Sequence, residues 1–589
     1  MPVNNLEKIS LLKNSFEQHG IDAYLVPSFD EFQNEFAPES LQRLKWLTNF
    51  TGSNGLALIT KTQNYLLTDG RYITQASKQL VDVDFQIYDM QDIEDIYGNI
   101  FENIKSKFLI GYDPAIFTSR YLEQLIKYFK HHKRYIKLTP IADNLIDNIW
   151  NRPKKLKTNA ALVLNTKYTS QNEILKIEYV IETLDTEYIL LTSPESICWL
   201  LNIRGDDLPY SPLIMCYCLI DNIGNVEIFS NLTKLKCNHQ NIELFPFDTI
   251  KERILELNKQ DKCIEYDPSQ TPIWFIQNYQ RQNILFRQDP CILQKARKNK
   301  VEISGFQYAT IQDGIALTTL FNWIEESISA GNRITEIDVD QKLSELKKQR
   351  SLFKTKSFET ISAFAENSAI IHYNPYEGTN NVITSNNFYI LDCGSQYHCG
   401  TTDITRTFYF GNPSKSAKLH YTLVLKGLIH LCGLRFPVNT TGQQIDAIAR
   451  QFLWQHGLDY PHGTGHGVGH YLCVHEGPQA ITKNNTYELK SGMVMSVEPG
   501  YYIPNKYGIR IENLVYTIET SENKNFLKFE TLTLAPIPFN LIDETLLTMA
   551  EKKWLIEYHE HVHSTLSPFL DNAIKSYSQK YLHYYTNLI

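Results

Sequence analysis

Five residues in the second half of the chain could do chemistry together: Asp392, Asp403, His466, Glu498 and Glu512. Asp392 closes an apolar strand pattern (NFYILD), and Asp403 opens the next one (DITRTFYF). Glu498 ends MVMSVE, Glu512 interrupts the apolar GIRIENLVYTI, and His466 sits in the glycine-rich loop pattern HGTGHGVGH. A carboxylate in apolar surroundings is costly unless something neutralises it. Any one of these residues alone would read as a cap, a turn or a solvent-facing side chain. Together, four carboxylates and one imidazole are too much negative charge for one small site without cations. Two divalent metals, typically ~3.5–4 Å apart in such sites, would offset it. Hard oxygen and nitrogen donors point to manganese, cobalt, iron or zinc, and away from a thiolate zinc site.

Further residues frame this set. Arg510 and Glu512 are two apart, so on a strand they share a face, and Arg510 is placed to orient carboxylate ligands. His372, His462 and His475 flank the ligands in sequence. His462 and His466 are four apart, but Gly463, Gly465, Gly467 and Gly469 disfavour a helix, so an irregular loop should present both imidazoles. His470 reads as a structural neighbour. Cys393 and Cys399 read as packing residues, because a soft thiolate is out of place among hard ligands.

These groups need a large frame. The chain has 589 residues, enough for three or four domains. Its 43% hydrophobic and 21% charged residues are ordinary globular values. A net charge of -8 argues against a nucleic-acid partner. No basic and apolar leader opens the chain, and no run of about 18 apolar residues occurs, so neither secretion nor a membrane span is expected. The ten cysteines form no CxxC pair and no stapled framework, so reduced thiols and a cytoplasmic location are expected.

Along the chain, IDAYLV (21–26), Leu56–Thr60 and Tyr65–Thr68 read as strands, the last two as a hairpin. NRPKKLKTNA near 150 reads as a linker. Glu187–Thr192 and Pro212–Ile220 read as strands of a second alternating unit. From about 295, Ile303, Phe306, Ile311, Ile315, Leu320 and Ile324 recur at helical steps, and Thr335 caps a second helix. Strands are expected at Thr360–Phe364, Phe388–Asp392, Asp403–Phe410, Met493–Glu498 and Gly508–Ile518, with helices near 415–432 and 442–456. The last stretch, 526–589, is rich in Tyr and His and partly helical, with no assignable chemistry.

At these residues the sequence resembles the pita-bread metallopeptidases, and among them the cytosolic-type Xaa-Pro aminopeptidases. The resemblance rests on IIHYNP around His372, LDCGSQYHCGTTDITRT around Asp392 and Asp403, HGTGHGVGHYLCVHEGP around His466, SVEPGYY at Glu498 and GIRIEN at Glu512. WLTNFTGSNG (46–55), TDGRY (68–72) and ICWLLNIRGDDLPYSP (197–212) extend it over nearly the whole chain. Two departures, His470 and Asn54, lie outside the ligand set.

The resemblance implies an α/β (α+β) architecture: creatinase-like N-terminal domains at 1–152 and 153–294, a pita-bread catalytic domain at 295–525 and a C-terminal extension at 526–589. It implies a metal-dependent aminopeptidase that releases the first residue from peptides with proline in second position. Asp392 and Asp403 would hold one metal, and Asp403, His466, Glu498 and Glu512 the other, with Asp403 and Glu512 bridging. Manganese would be the usual metal, with zinc or cobalt possible, and a metal-bridging hydroxide the nucleophile. Glu498 would shuttle the proton. His475 would bind the developing oxyanion. His372 and His462 would shape the proline site, with His372 near the scissile bond. Arg71 would be a substrate contact or else a structural ion pair. A homodimer with the first domain overhanging the site is implied as well.

Three other readings share the scaffold. A prolidase would cleave Xaa-Pro dipeptides only. A metal-free binding module, or a creatinase-like hydrolase working without metals, would have lost ligands that are all present here.

Overall fold

The segment after residue 295 folds as its apolar periodicity requires. Lys300–Ser329 is one long helix, opened by a capping box between Asn299 and Glu302. Glu336–Lys348 follows, opened by a second capping box between Thr335 and Asp338. The structure is a computed structural model that describes residues 4–588 apart from 103, 105, 130–134, 154–159 and 232–240. The centre of the linker near 150 and Cys237 lie outside the described residues. By contacts the chain divides into two units, residues 1–163 with 171–292, and residues 164–170 with 293–589.

The first unit holds two six-stranded sheets. One runs Phe85–Asp89, Asn64–Thr68, Gly55–Thr60, Ala23–Pro27, Phe108–Tyr112, Ile136–Pro140. The other runs Ile242–Pro246, Val226–Ser230, Cys216–Asp221, Tyr188–Leu191, Ile264–Tyr266, Ile284–Phe286. In both, successive neighbours pair parallel, antiparallel, antiparallel, parallel, parallel. The two halves of this unit therefore repeat one topology, although no repeat is visible in the sequence.

In the second unit, a ligand hairpin pairs Phe388–Tyr397 with Gly400–Tyr409 over ten residues each. Phe353–Thr355 and Ile361–Phe364 flank it. A six-stranded sheet runs Arg435–Pro437, Phe526–Thr531, Asn513–Glu519, Val494–Val497, Gly465–Gly467, Glu476–Ile481. A small hairpin joins Gly500–Ile503 to Tyr507–Arg510. Helices Lys415–Cys432, Gly442–Trp454, Met549–Leu566 and Asn572–Thr586 pack their apolar faces into one core with these strands. Among the described residues no helix is long and apolar enough to cross a membrane, and the nine cysteines there are free.

Three local expectations are corrected. Asp392 and Asp403 do not end and begin strands, because the hairpin continues through the polar Gly394–Thr402 stretch, whose side chains are nearly all buried and paired. His466 is not in an irregular loop but in the short strand Gly465–Gly467. Glu512 is not inside a continuous strand, since Ile511 and Glu512 form a break between Tyr507–Arg510 and Asn513–Glu519.

Candidate metal centre

Hairpin register brings the first two acids together. Asp403 pairs with Gly394 and Asp392 with Thr405, so both acids lie within two rungs of one ladder. Both are nearly fully buried. Glu512 reaches the same place because its backbone N–H donates to Thr405 O at 3.0 Å, which ties the strand break to the hairpin. His466 is carried in by Gly465–Gly467, the strand next to the edge of the other sheet. That strand needs its glycines: a Cβ on Gly465 would lie 2.0 Å from Ser496 O, and one on Gly467 would lie 2.3 Å from Glu476 O. Glu498 follows Val494–Val497, and its backbone N–H donates to Thr464 O at 2.8 Å.

One ligand atom each from Asp403, His466 and Glu512 lies within 4.8 Å of the others. His466 Nδ1 donates to Gly467 O at 3.0 Å, since a carbonyl can only accept. Its Nε2 then faces Asp403 Oδ2 and Glu498 Oε1, each at 3.4 Å. A nitrogen lone pair aimed at two carboxylates needs a proton or a metal between them. Burial opposes charging His466, but Asp403 and Glu498 prevail and push its pKa up to about 9. A metal would displace that proton.

The carboxylates are short of protein donors. Arg510 reaches Asp392 Oδ2 through Nη2 (2.6 Å) and Nε (3.1 Å), while the buried Asp392 Oδ1 receives no hydrogen bond among the described residues. Glu512 Oε2 accepts from Thr405 Oγ1 at 2.9 Å, and its buried Oε1 likewise receives none. Burial drives Asp392 up to about 7, against Arg510 and helped by the negative charge of Asp403. Glu512 is pushed well above the carboxylate range by burial and by Asp403, Glu498 and Asp392. Burial also opposes ionisation of Glu498, but His466, His462, Arg510 and His475 outweigh it and hold Glu498 below its ordinary value. Orphaned oxygens from two acids, converging with an imidazole lone pair, suit hard divalent cations.

Around these groups the structure places the other residues singled out in the sequence. The His475 ring lies 4.3 Å from the His466 ring. His462 Nδ1 donates to Gly463 O at 2.7 Å, so Nε2 accepts from Tyr502 OH at 3.0 Å, and burial lowers this imidazole's pKa to about 4. Tyr502 OH in turn accepts from Arg510 Nη1 at 2.8 Å. His372 is half-buried in the turn after Ala365–Ala369, next to Ile371, whose carbonyl accepts from Arg510 Nη2 at 3.2 Å. Arg510 thus links Asp392, the His372 turn and, through Tyr502, His462. Burial raises the Cys393 and Cys399 thiols to about 12, so neither is a thiolate. His470 is buried 3.9 Å from Glu302. Arg71, in the first unit, is clamped by Asp69 through Nε (2.9 Å) and Nη2 (2.8 Å), and Asn54 donates to the same carboxylate at 2.7 Å.

Sequence reasoning missed Tyr502, Thr405 and Ser496, which donates to Glu498 Oε1 at 3.2 Å. Thr405 and Ser496 were within reach, because each lies two residues from a ligand and alternation puts it on the ligand's side. Tyr502 had no periodic signal, because the turn at Pro499-Gly500 intervenes.

Comparison with known proteins covers the chain from end to end. The family model of metallopeptidase family M24 matches residues 304–519, and that of the C-terminal region of peptidase M24 matches 525–589. Two models of the creatinase/prolidase N-terminal domain match 8–145 and 151–302. A probable Xaa-Pro aminopeptidase P of Laccaria bicolor is 37% identical, over 96% of this chain and 91% of that one. One of Aspergillus niger is 35% identical over 97% of each. The crystal structure of an X-prolyl aminopeptidase from Caenorhabditis elegans, described as a cytosolic enzyme with a di-nuclear active site, superposes with a TM-score of 0.92 at 33% identity over 99% of both chains.

Proposed function

The chain belongs to metallopeptidase family M24, among the Xaa-Pro aminopeptidases P, and from that premise we propose that it releases the N-terminal residue from peptides whose second residue is proline. The observation that carries this reading is the set Asp392, Asp403, His466, Glu498 and Glu512, its first, second and last members buried, with two carboxylate oxygens that receive no hydrogen bond among the described residues. Asp392 and Asp403 would hold one divalent cation. Asp403, His466, Glu498 and Glu512 would hold the other, with Asp403 and Glu512 shared. When bound, the pair supplies a nucleophile at neutral pH and polarises the scissile carbonyl. The donor set suits manganese, with zinc or cobalt as substitutes.

The protein's own groups do the rest. Glu498 is ionised and oriented by Ser496, so it takes a proton from the attacking side and returns it to the leaving nitrogen. His475, beside His466, donates to the oxyanion. Arg510 fixes Asp392 and, through Tyr502, the neutral His462 that lines the proline site with His372. An X–Pro bond is a tertiary amide without an N–H, so a pocket shaped for the ring acts where peptidases that need that donor do not. The reading extends to a cytoplasmic homodimer acting on peptides, with Arg71 as a substrate contact, and to domains bounded near 152, 294 and 525.

The test is hydrolysis of an Arg-Pro-Pro type tripeptide with added Mn2+, beside Glu498→Ala and a chelated sample. Release of arginine that disappears in both controls is expected. Cleavage of Xaa-Pro dipeptides with no action on the tripeptide would instead identify a prolidase. No release with any divalent cation from folded protein would overturn the reading.

A further inference from the structure

Arg406 lies three residues beyond Asp403 on the ligand hairpin, so its side chain leaves the opposite face. It is 1% exposed. Among the described residues it pairs with no carboxylate. Nη1 donates to Thr405 O (3.0 Å) and Glu512 O (2.6 Å). Nη2 donates to Asn513 Oδ1 (2.9 Å), Ala535 O (3.0 Å) and Tyr558 OH (2.8 Å), and Nε donates to Pro536 O (3.0 Å). A buried guanidinium is costly, and here every partner is neutral. The fork supplies donors to four backbone carbonyls at once, which an apolar side chain could not.

Thr405 lies in the hairpin and Glu512 in the break just before Asn513–Glu519, a strand of the other sheet, and the contact between them brings Glu512 beside Asp403. Arg406 grips the backbone of both residues from behind. A planar fork with five fixed donors acts as a rigid bracket between them. Its other donors end on Asn513 Oδ1 and on the Ala535 and Pro536 carbonyls and Tyr558, the last three in the C-terminal extension. Tyr558 OH also contacts Ala535 O at 2.8 Å. His559 Nε2 accepts from Ile537 N at 3.2 Å, and Tyr585 OH donates to Ile537 O at 2.8 Å. Both terminal helices therefore hold the segment that holds Arg406.

We propose that the helix Met549–Leu566, acting through Tyr558 and Arg406, is a positioning element of the metal centre that sets the spacing of Asp403 and Glu512. Arg406 and Tyr558 are positioning residues, and the proposal rests on the metal-centre reading above. Outer partners of metal ligands commonly carry ~10–100-fold in metal affinity.

The test uses the full chain, stripped with chelator, then titrated with Mn2+ by calorimetry and with Co2+ by visible absorption. Arg406→Lys should weaken cation binding by ~10–100-fold and alter the Co2+ bands. Tyr558→Phe should act in the same direction more weakly. Tyr585→Phe releases the same segment without touching Arg406. It should lower the unfolding midpoint and leave cation affinity and Co2+ bands at wild-type values. Wild-type affinity and bands in folded Arg406→Lys and Tyr558→Phe would overturn the proposal, as would an equal change in Tyr585→Phe. A wild-type protein that binds no cation pair would overturn the metal-centre reading itself, and the positioning role with it.

Discussion

Asp313 and Asp403 are both buried against the ligand hairpin, but they are furnished in opposite ways. Asp313 accepts from Ser395 Oγ (2.8 Å), Tyr397 OH (2.7 Å) and Thr402 Oγ1, with Lys347 Nζ 3.5 Å away. Three hydroxyls and an ammonium close that acid completely. At the ligand end of the same two strands, four carboxylates share one guanidinium, and Arg510 touches only Asp392 Oδ2. Buried polar groups in native proteins are almost always satisfied, and Asp313 shows that this hairpin can satisfy an acid. The shortfall at Asp392 and Glu512 is therefore a property of the site and leaves room for cations.

The largest effect should separate the two ends cleanly. Asp403→Asn should lower kcat/KM by a factor on the order of 10³ or more, because the cations carry several kcal/mol of the barrier. In the metal-free protein it should leave the unfolding midpoint unchanged or raised, since it takes one carboxylate out of a crowded acidic cluster. Asp313→Asn should do the reverse. It strands a buried Lys347 and should cost about 3–5 kcal/mol of stability, while the folded fraction keeps its kcat. If Asp403→Asn destabilises the metal-free protein as much as Asp313→Asn does, the contrast is wrong.

A smaller effect sharpens it. Cations that bind only the folded state should stabilise wild type by about 2.7 kcal/mol at a hundred times their dissociation constant. Thermal unfolding with and without chelator should show that increment in full for Asp313→Asn, on a lower baseline. Asp403→Asn should show little of it. An undiminished increment in Asp403→Asn would place the cations elsewhere.

The same contrast explains what the sequence could show. The five candidate ligands stand out because four of them end, open or interrupt an apolar pattern and His466 sits in a glycine-rich one, and such features can be read one residue at a time. Arg510 followed from alternation, although the strand in fact breaks at Ile511, and the expectation survived because Arg510 and Glu512 both reach the hairpin independently. The closing partners were not legible. Asp313 lies 82 residues from Ser395, and Arg406 lies 152 from Tyr558. Such pairs are made by packing between elements, and neither partner looks unusual in its own segment. The hydroxyls at 395, 397 and 402 fall between the two expected strands, and what they close is visible only once the hairpin is seen to run through them. Tyr585 and His559 had no readable role, because their partners are backbone carbonyls and N–H groups that every sequence has.

The smallest effect concerns His559, the titratable group on the closed side whose state the structure fixes. Its Nδ1 donates to Leu555 O at 2.7 Å and its Nε2 accepts from Ile537 N, so the folded ring is neutral. Burial lowers its pKa to about 3, against 6.5 for a free histidine. A depressed folded value gives a stability contribution that is complete above 6.5 and lost as pH falls towards 3, because the unfolded chain takes up a proton that the folded ring refuses. Each pH unit in that window is worth about 1.4 kcal/mol, so between pH 6.5 and 5 the unit should lose about 2 kcal/mol through this group. Denaturant midpoints of wild type and His559→Gln, both metal-free, measure it: the wild type should lose more stability on acidification than the variant. Equal pH slopes in the two proteins would mean that the ring is charged, or free to charge, in the folded state. The clamp on Ile537 would then be looser than its geometry states, and the closed side would not be closed at its C-terminal end.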